Sequence, residues 1–433
     1  MSFKYGAARR EPIRLFALNA FNSLSPAVIA AVLLAPGYAL AQQAPLSLDE
    51  AMARALDAHP SIGAARAGVE AAEGGRRQAG AIPNPSISVE VENFGGSDGL
   101  RGLQAAETTV AVEQPIERGG RRGARISLAE REIYLARSDL LIQRLDVLRD
   151  VQLAYAEALA ADALAEIARE RLTTAEALAR SVERRVAAAR DPLMAGARAA
   201  AGVAEARIAV DSAEREAIDT RAALASLWAG APDFSMPGST FAAAVQETHD
   251  HDGSPETNPD VARAAANRDR ASAAVRLERS RGYQDPTISL GVRRFEETGE
   301  SGVVAGVSIP LGIFDRNRGG IAQAEAERRR SEYELTAARL ELSRRYDALT
   351  RTRDGAIATV RALEADVIPQ AERALALAQN GYDRGAFSYL DVLEAQRALT
   401  DAREQRVQAL LSFHRNEAEL DRLTARFADA EPE

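Results

Sequence analysis

The residue types in this 433-residue chain that could hold a metal ion stand together at one place, His249-Asp250-His251-Asp252. Neutral imidazole and carboxylate both suit zinc-like ions. Closed metal sites draw their ligands from elements held in place, and this stretch is polar, so a solvated loop is the favoured reading. His249 and His251 are weak ligand candidates, and no resident metal is expected. His59 and His414 stand alone on helical stretches and read as structural. There is no nucleophile elbow, phosphate loop, dinucleotide fingerprint or helical histidine pair spaced for zinc. The absence of cysteine excludes disulfides, thiolate metal sites, cysteine nucleophiles and an acylated lipoprotein cysteine together. The chain therefore reads as a non-enzyme without a cofactor.

Composition narrows the class. Lys4, Arg9, Arg10 and Arg14 precede an apolar stretch from Ala27 to Ala35 and then Ala39-Leu40-Ala41, the three-part pattern of a cleavable export signal. Pro26, Pro36 and Gly37 interrupt that stretch, which falls short of the ~20 apolar residues a membrane helix needs. Residues 1–41 carry four basic and one acidic residue, so their removal takes the net charge from −9 to −12. That balance excludes a polybasic nucleic-acid binder. Aromatics are only 5% of the chain while Ala, Glu, Arg and Leu dominate, as in long packed helices. No later segment matches a membrane helix, so any bilayer crossing must use strands.

The elements that would position functional groups come in duplicate. His59-Pro60-Ser61 and Asn258-Pro259-Asp260 each open an Ala/Arg-rich helical stretch. Pro83-Asn84-Pro85-Ser86-Ile87-Ser88 is answered by Gln284-Asp285-Pro286-Thr287-Ile288-Ser289, and Gln114-Pro115-Ile116 by Ile309-Pro310-Leu311. Between these prolines the pattern alternates. Ile87, Val89 and Val91 alternate with Ser88, Glu90 and Glu92, and Val110 and Val112 with Thr109, Ala111 and Glu113. Ile288, Leu290 and Val292 alternate with Ser289, Gly291 and Arg293, and Val303, Ala305, Val307 and Ile309 with Val304, Gly306 and Ser308. Each half thus carries one hairpin, with Phe94 and Phe295 at matching ends as candidates for an interfacial aromatic girdle or for ordinary packing. Strands of about 9 to 11 residues cross a tilted bilayer path, yet four strands cannot close a barrel. A lipid-facing reading forces several chains to pool their strands; the soluble alternative is a four-stranded sheet packed on helices.

From about Arg118 to Ala189 there is neither proline nor a turn cluster, enough for a helix of about 100 Å. Heptad spacing recurs at Ile126, Ile133, Leu140 and Val147, and at Leu342, Tyr346, Leu349, Ala356, Val360, Leu363 and Val367, which predicts coiled-coil packing. The rods reverse at Arg190-Asp191-Pro192 and Asp383-Arg384-Gly385, and Pro369 predicts a local kink or break. The basic stretch from Arg118 to Arg125 reads as a solubilising first turn rather than a headgroup contact. The expected organisation is a signal at 1–41, a first repeat at 42–231 with a hairpin at about 86–115, a polar linker at 232–258, a second repeat at 259–424 with a hairpin at about 286–310, and a disordered tail at 425–433.

Three features together resemble the TolC-type outer-membrane efflux proteins over essentially the whole mature length. They are Leu46-Ser47-Leu48-Asp49-Glu50-Ala51 followed by His59-Pro60, the duplicated helix-hairpin-helix plan, and Gly381-Tyr382-Asp383-Arg384-Gly385 running into Tyr389-Leu390-Asp391-Val392-Leu393-Glu394-Ala395-Gln396. Within that family, Glu113 to Arg122 and Ile309 to Asn317 resemble the cobalt-zinc-cadmium efflux branch. The resemblance implies a mainly α fold with a membrane β-barrel: a homotrimer whose twelve pooled strands form the barrel above a coiled-coil periplasmic tunnel. It implies partners in a periplasmic adaptor, an inner-membrane pump and outer-membrane lipid, with no nucleic acid, and the role of a passive exit duct for heavy-metal cations. Drugs or other small toxic compounds are the second choice of cargo, and a periplasmic adaptor or coiled-coil scaffold a more distant role.

The resemblance also implies site residues. The family's periplasmic mouth is narrowed by acids that match Asp391 and Glu394, three apart and so on one helical face. Threefold symmetry would turn them into a cation-attracting ring; the bland alternative is a solvated surface helix. Tyr382 matches a position that holds the closed tip, and a phenol can both donate and accept. Phe387 stands where some relatives have a basic partner, and Ala197 stands where Asp391 has its counterpart in the first half. The turns Arg190, Asp191, Pro192 and Arg384, Gly385 are the expected adaptor contacts.

Overall fold

In the computed structural model, which describes residues 45–246, 251 and 258–429, each half of the chain starts a helix on a proline. Helix α1 (Leu48–Ala58) is capped by Ser47 and leads into α2 (Pro60–Ala79), where His59 Nδ1 accepts from the Ser61 N–H. The second half opens with α6 (Pro259–Arg281), capped by Asn258. Proline fits both starts because the first-turn N–H has no helical acceptor to lose. The expected export signal at 1–41 lies outside the described residues.

After α2 comes the hairpin β1 (Ser86–Glu92) and β2 (Glu107–Pro115), and after α6 the hairpin β3 (Thr287–Phe295) and β4 (Ser301–Ser308). The four form one antiparallel sheet in chain order, joined across the two halves by β2 and β3. The register aligns Val89, Val110, Val292 and Val303 in one row and Ile87, Val112, Leu290 and Ala305 in the next. These side chains lie on one face, which is bare: Ile87 is 73% exposed and Val303 79%. The opposite face carries Glu90, Thr109 and Arg293, with Arg293 paired to Glu92 at 2.9 Å and Glu107 at 3.0 Å. A sheet packed on helices would have hidden the apolar face, so the soluble alternative fails. Strands β2 and β3 are nine residues long, as expected, while β1 with seven and β4 with eight fall short of the expected length. At roughly 3.3 Å per residue the nine-residue strands are about 30 Å long, which at a tilt of about 35–45° spans most or all of an apolar band about 25 Å tall. Phe94 is exposed and Phe295 half-buried, while Leu311, Ile313 and Phe314 beyond β4 are all exposed at the opposite rim.

Each hairpin returns to the helices through a left-handed residue, Gly120 (φ 71°) before α3 (Arg121–Ala187) and Asn317 (φ 55°) before α7 (Arg318–Ala362). Gly119 is left-handed too, and a Cβ there would lie 2.5 Å from the Tyr283 ring, so only glycine fits. The basic stretch beside it does not merely solubilise a helix. Arg121 pairs with Asp285 at 2.5 Å and donates to the Tyr283 carbonyl, Arg122 donates to the Gly80 carbonyl, and Arg125 joins Glu117 and the carbonyls of Ala79 and Ala81. These arginines satisfy the orphan acceptors at the end of α2 and bolt the sheet to the rods.

Helix α3 runs for 67 residues, about 100 Å, and returns as α4 (Leu193–Ser226). Its counterpart is segmented: α7 passes through a π-helical turn at Leu363–Val367 into α8 (Ile368–Arg384), which returns as α9 (Tyr389–Leu423). The widened turn sits directly before Pro369, whose ring cannot follow a regular α turn. Among the described residues no helix is long and apolar enough to cross a membrane.

The main core gathers midway along the rods. Ala51, Ala55 and Leu56 of α1 meet Leu148, Val151 and Tyr155 of α3 and Leu410 and Phe413 of α9. The segment between the halves is no plain polar linker: it forms α5 (Ser239–Ala243), whose Phe241 is buried in that core and stacks on His414 at 5.0 Å. Beyond α9, residues 424–429 form turns instead of a disordered tail, with Arg426 paired to Asp421 at 3.2 Å and Phe427 packed on the core. Arg422 is nearly buried and joins three helices through Asp146 at 2.8 Å and Asp260. Burial opposes its charge, but the two carboxylates outweigh burial and hold its pKa above the ordinary value.

Candidate functional site

The two helical reversals meet at one tip. Leu178 and Val182 of α3, Ala199 of α4, Ala378 and Tyr382 of α8 and Val392 of α9 form a small separate core. Helix α8 stops at Gly385, whose φ of 79° supplies the left-handed cap that lets the chain reverse. Gly381, one turn earlier, has no side chain because the Phe387 ring occupies that space.

Above this core the two hairpins are tied by charge. Arg185 of α3 grips Asp191 with two nitrogens, at 3.0 and 3.1 Å, and donates to the Tyr382 carbonyl at 2.8 Å. The Tyr382 hydroxyl donates to Asp191 Oδ2 at 2.5 Å, and the Arg185 guanidinium lies 4.6 Å from the Tyr382 ring centre. Ser181 adds a hydrogen bond to Asp383 at 3.0 Å. The hydrogen bonds from Arg185 and then Tyr382 hold the Asp191 carboxyl below its usual range, while burial and then Asp191 push the Tyr382 phenol up. The tie therefore joins the first repeat to the second through a charged, planar fork.

Asp391 and Glu394 sit exposed on the first turns of α9. The Asp391 carboxylate accepts from the Ser388 N–H at 2.7 Å and the Ser388 hydroxyl at 2.8 Å, while Ser388 Oγ accepts from the Asp391 N–H, a reciprocal cap on the helix. Those Ser388 hydrogen bonds hold the Asp391 carboxyl below its usual value. Around these acids the tip presents Leu193, Met194, Phe387 and Leu390 to solvent, beside exposed Arg190, Pro192, Arg384 and Gly385. Asp191 is half-buried in the tie rather than offered at the surface.

Sequence reasoning missed Arg185. It lies in Glu183-Arg184-Arg185 among many similar charges, and no local pattern singles it out. It also misread His251, expected in a solvated loop. The His251 side chain is 2% exposed, with Nε2 2.9 Å from Glu417 Oε1 on α9 and Nδ1 3.7 Å from Asp421 Oδ1. Its backbone carbonyl accepts from the Tyr346 hydroxyl at 2.7 Å, which pins His251 to α7 as well. His249 lies outside the described residues.

The sequence pattern of the outer membrane efflux proteins matches residues 51–230 and 254–426, one stretch for each repeat. The chain belongs to this family. Among similar outer membrane efflux proteins, the cobalt-zinc-cadmium resistance protein CzcC of Cupriavidus metallidurans is 32% identical over 93% of this chain and 99% of that protein. The nickel-cobalt-cadmium resistance protein NccC of Alcaligenes xylosoxydans xylosoxydans is 31% identical over 72% of this chain and 71% of its own. The fold matches crystal structures of CusC (TM-score 0.70, 17% identity, 87% of this chain and 91% of that one) and of the outer membrane protein VceC of Vibrio cholerae (TM-score 0.71, 21% identity, 89% and 97%). A bare apolar sheet face is the feature that the outward faces of outer-membrane barrels share.

Proposed function

We infer that this outer membrane efflux protein works as a homotrimeric, non-catalytic exit duct that passes divalent heavy-metal cations received from an inner-membrane pump and its periplasmic adaptor. The observation that carries this reading is the pairing of an exposed valine face with two open sheet edges, β1 and β4. Hydrocarbon offers no partners for edge N–H and C=O groups, so each edge must pair with a sister chain. Three copies make twelve strands and close the cylinder. Metal cargo is supported by the likeness to resistance proteins for cobalt, zinc, cadmium and nickel. Deleting the gene should lower the tolerated concentration of cobalt, zinc and cadmium in the growth medium, and the plasmid-borne chain should restore it. Unchanged tolerance of all three metals with loss of tolerance to organic toxicants would transfer the duct to another cargo.

The tip supports the gate. Asp391 and Glu394 from three chains would set six carboxylates around the mouth, while the apolar side chains Leu193, Met194, Phe387 and Leu390 flank the turns that meet the adaptor. In a planar bilayer, Asp391→Asn with Glu394→Gln should lower cation preference and relieve block by divalent cations. Ser388→Ala separates the cap from the charge: it should weaken the start of α9 by about 1 kcal/mol and leave ion selectivity in place. An unchanged reversal potential in the double variant eliminates the acidic ring.

A further inference from the structure

The mixed donor cluster at the middle of the rods lies far along α9 from the tip and has no part in the gate. Glu417 and Asp421 are one helical turn apart on α9, and His251 arrives from the segment between the repeats. One donor atom from each of the three lies within 4.8 Å of the other two. Glu417 Oε2 is shut off from solvent and accepts no hydrogen bond, with the Arg353 guanidinium standing off at 3.7 Å. Arg426 pairs with the far side of the cluster through Asp421, and Thr424 Oγ1 is 3.5 Å from His251 Nδ1. Glu417 and Asp421 also border a cavity of about 540 Å³ between α1, α3 and α9.

We propose that His251, Glu417 and Asp421 form a resident site for a borderline divalent transition-metal ion of the zinc or cobalt type, which staples the inter-repeat segment onto α9. One imidazole and two carboxylates make a nitrogen-oxygen donor set that suits such ions, whereas magnesium and calcium take oxygen alone. Three protein ligands leave a fourth position for water from the adjoining cavity. The two negative charges are already partly balanced by Arg353 and Arg426, so the ion binds by displacing the His251–Glu417 hydrogen bond and drawing the unpartnered Glu417 Oε2 inward. The staple links positions 166 residues apart, so metal binding would be coupled to the docking of His251 on α9. The site lies apart from the tip, and its occupancy does not depend on which cargo the duct passes.

The test uses the full-length protein purified from outer membranes in mild detergent and stripped with a chelator. Equilibrium dialysis against zinc chloride, read by elemental analysis, should return about one tightly held zinc per protomer, undisturbed by excess magnesium. Cobalt chloride should give the visible absorption of a low-coordinate cobalt centre. Glu417→Gln and Asp421→Asn, which keep shape, and His251→Ala should each reduce zinc to the blank, while His249→Ala keeps it. Native size on gel filtration identifies variants that assemble; if His251→Ala fails to, the two isosteric variants carry the comparison. No stoichiometric zinc in the wild type, or wild-type zinc content in assembled Glu417→Gln and Asp421→Asn, overturns the site.

Discussion

Tyr382→Phe is expected to raise single-channel conductance in a planar bilayer, because it removes the hydroxyl that ties the second helical hairpin to Asp191 of the first. A hydrogen bond to a charged partner is worth about 1.5–3 kcal/mol. Asp191 retains some solvent contact, so the lower end applies, and about 1.4 kcal/mol is tenfold in an equilibrium. Each protomer should therefore shift about tenfold toward the released tip. Arg185→Ala and Asp191→Asn should act in the same direction, and combining either with Tyr382→Phe should add less than the separate effects, because all three groups share one network. The sign of the pH effect follows from Asp191, whose carboxyl is held below its usual range by Arg185 and Tyr382. Its contribution is complete above the unfolded value of about 3.9 and fades as pH falls through the lowered folded value. Wild-type channels should thus open further only in strong acid, and Asp191→Asn should remove that response. Equal conductance of Tyr382→Phe and wild type across this range would show that the tie does not hold the duct closed.

A second large effect is expected from neighbouring residues on opposite faces of β1. Val89→Arg places a charge in the exposed valine row formed with Val110, Val292 and Val303. At the middle of a bilayer such a change costs about 2–4 kcal/mol, and the proposed homotrimer would carry it three times. Assembly into the outer membrane should collapse, seen as loss of the detergent-stable trimer from washed outer-membrane fractions. Ser88→Arg lies one residue away on the face that already holds Glu90, Arg293 and Glu107, and it should assemble normally with altered conductance. If both variants assemble equally well, the valine face does not meet lipid and the membrane reading of the sheet falls.

The strands were legible because alternation is a local signal: each side of β1 to β4 repeats every second residue, and the observed register keeps those sides together across the sheet. The rods were legible from heptads and the absence of proline, and Pro369 marked the place where the second rod widens into a π turn. Turn prolines and glycines at Pro192 and Gly385 marked both reversals. The tip tie was only half legible. Tyr382 stood out by its resemblance to family members and Asp191 by its turn, but their contact spans 191 residues and depends on how two hairpins lie side by side.

The amino-acid sequence by itself determined the internal duplication, the helical rods and the alternating strands, since each rests on a repeat or a periodicity that can be read along the chain. Tertiary structure alone decided which charges matter. It selected Arg185 from a run of similar residues, made Asp391 part of the cap of α9, folded Phe241 into the core and carried His251 out of water to Glu417 and Asp421. Partners this far apart in the chain are chosen by packing, which places side chains within hydrogen-bond reach only after the rods have docked, and no local pattern encodes that distance.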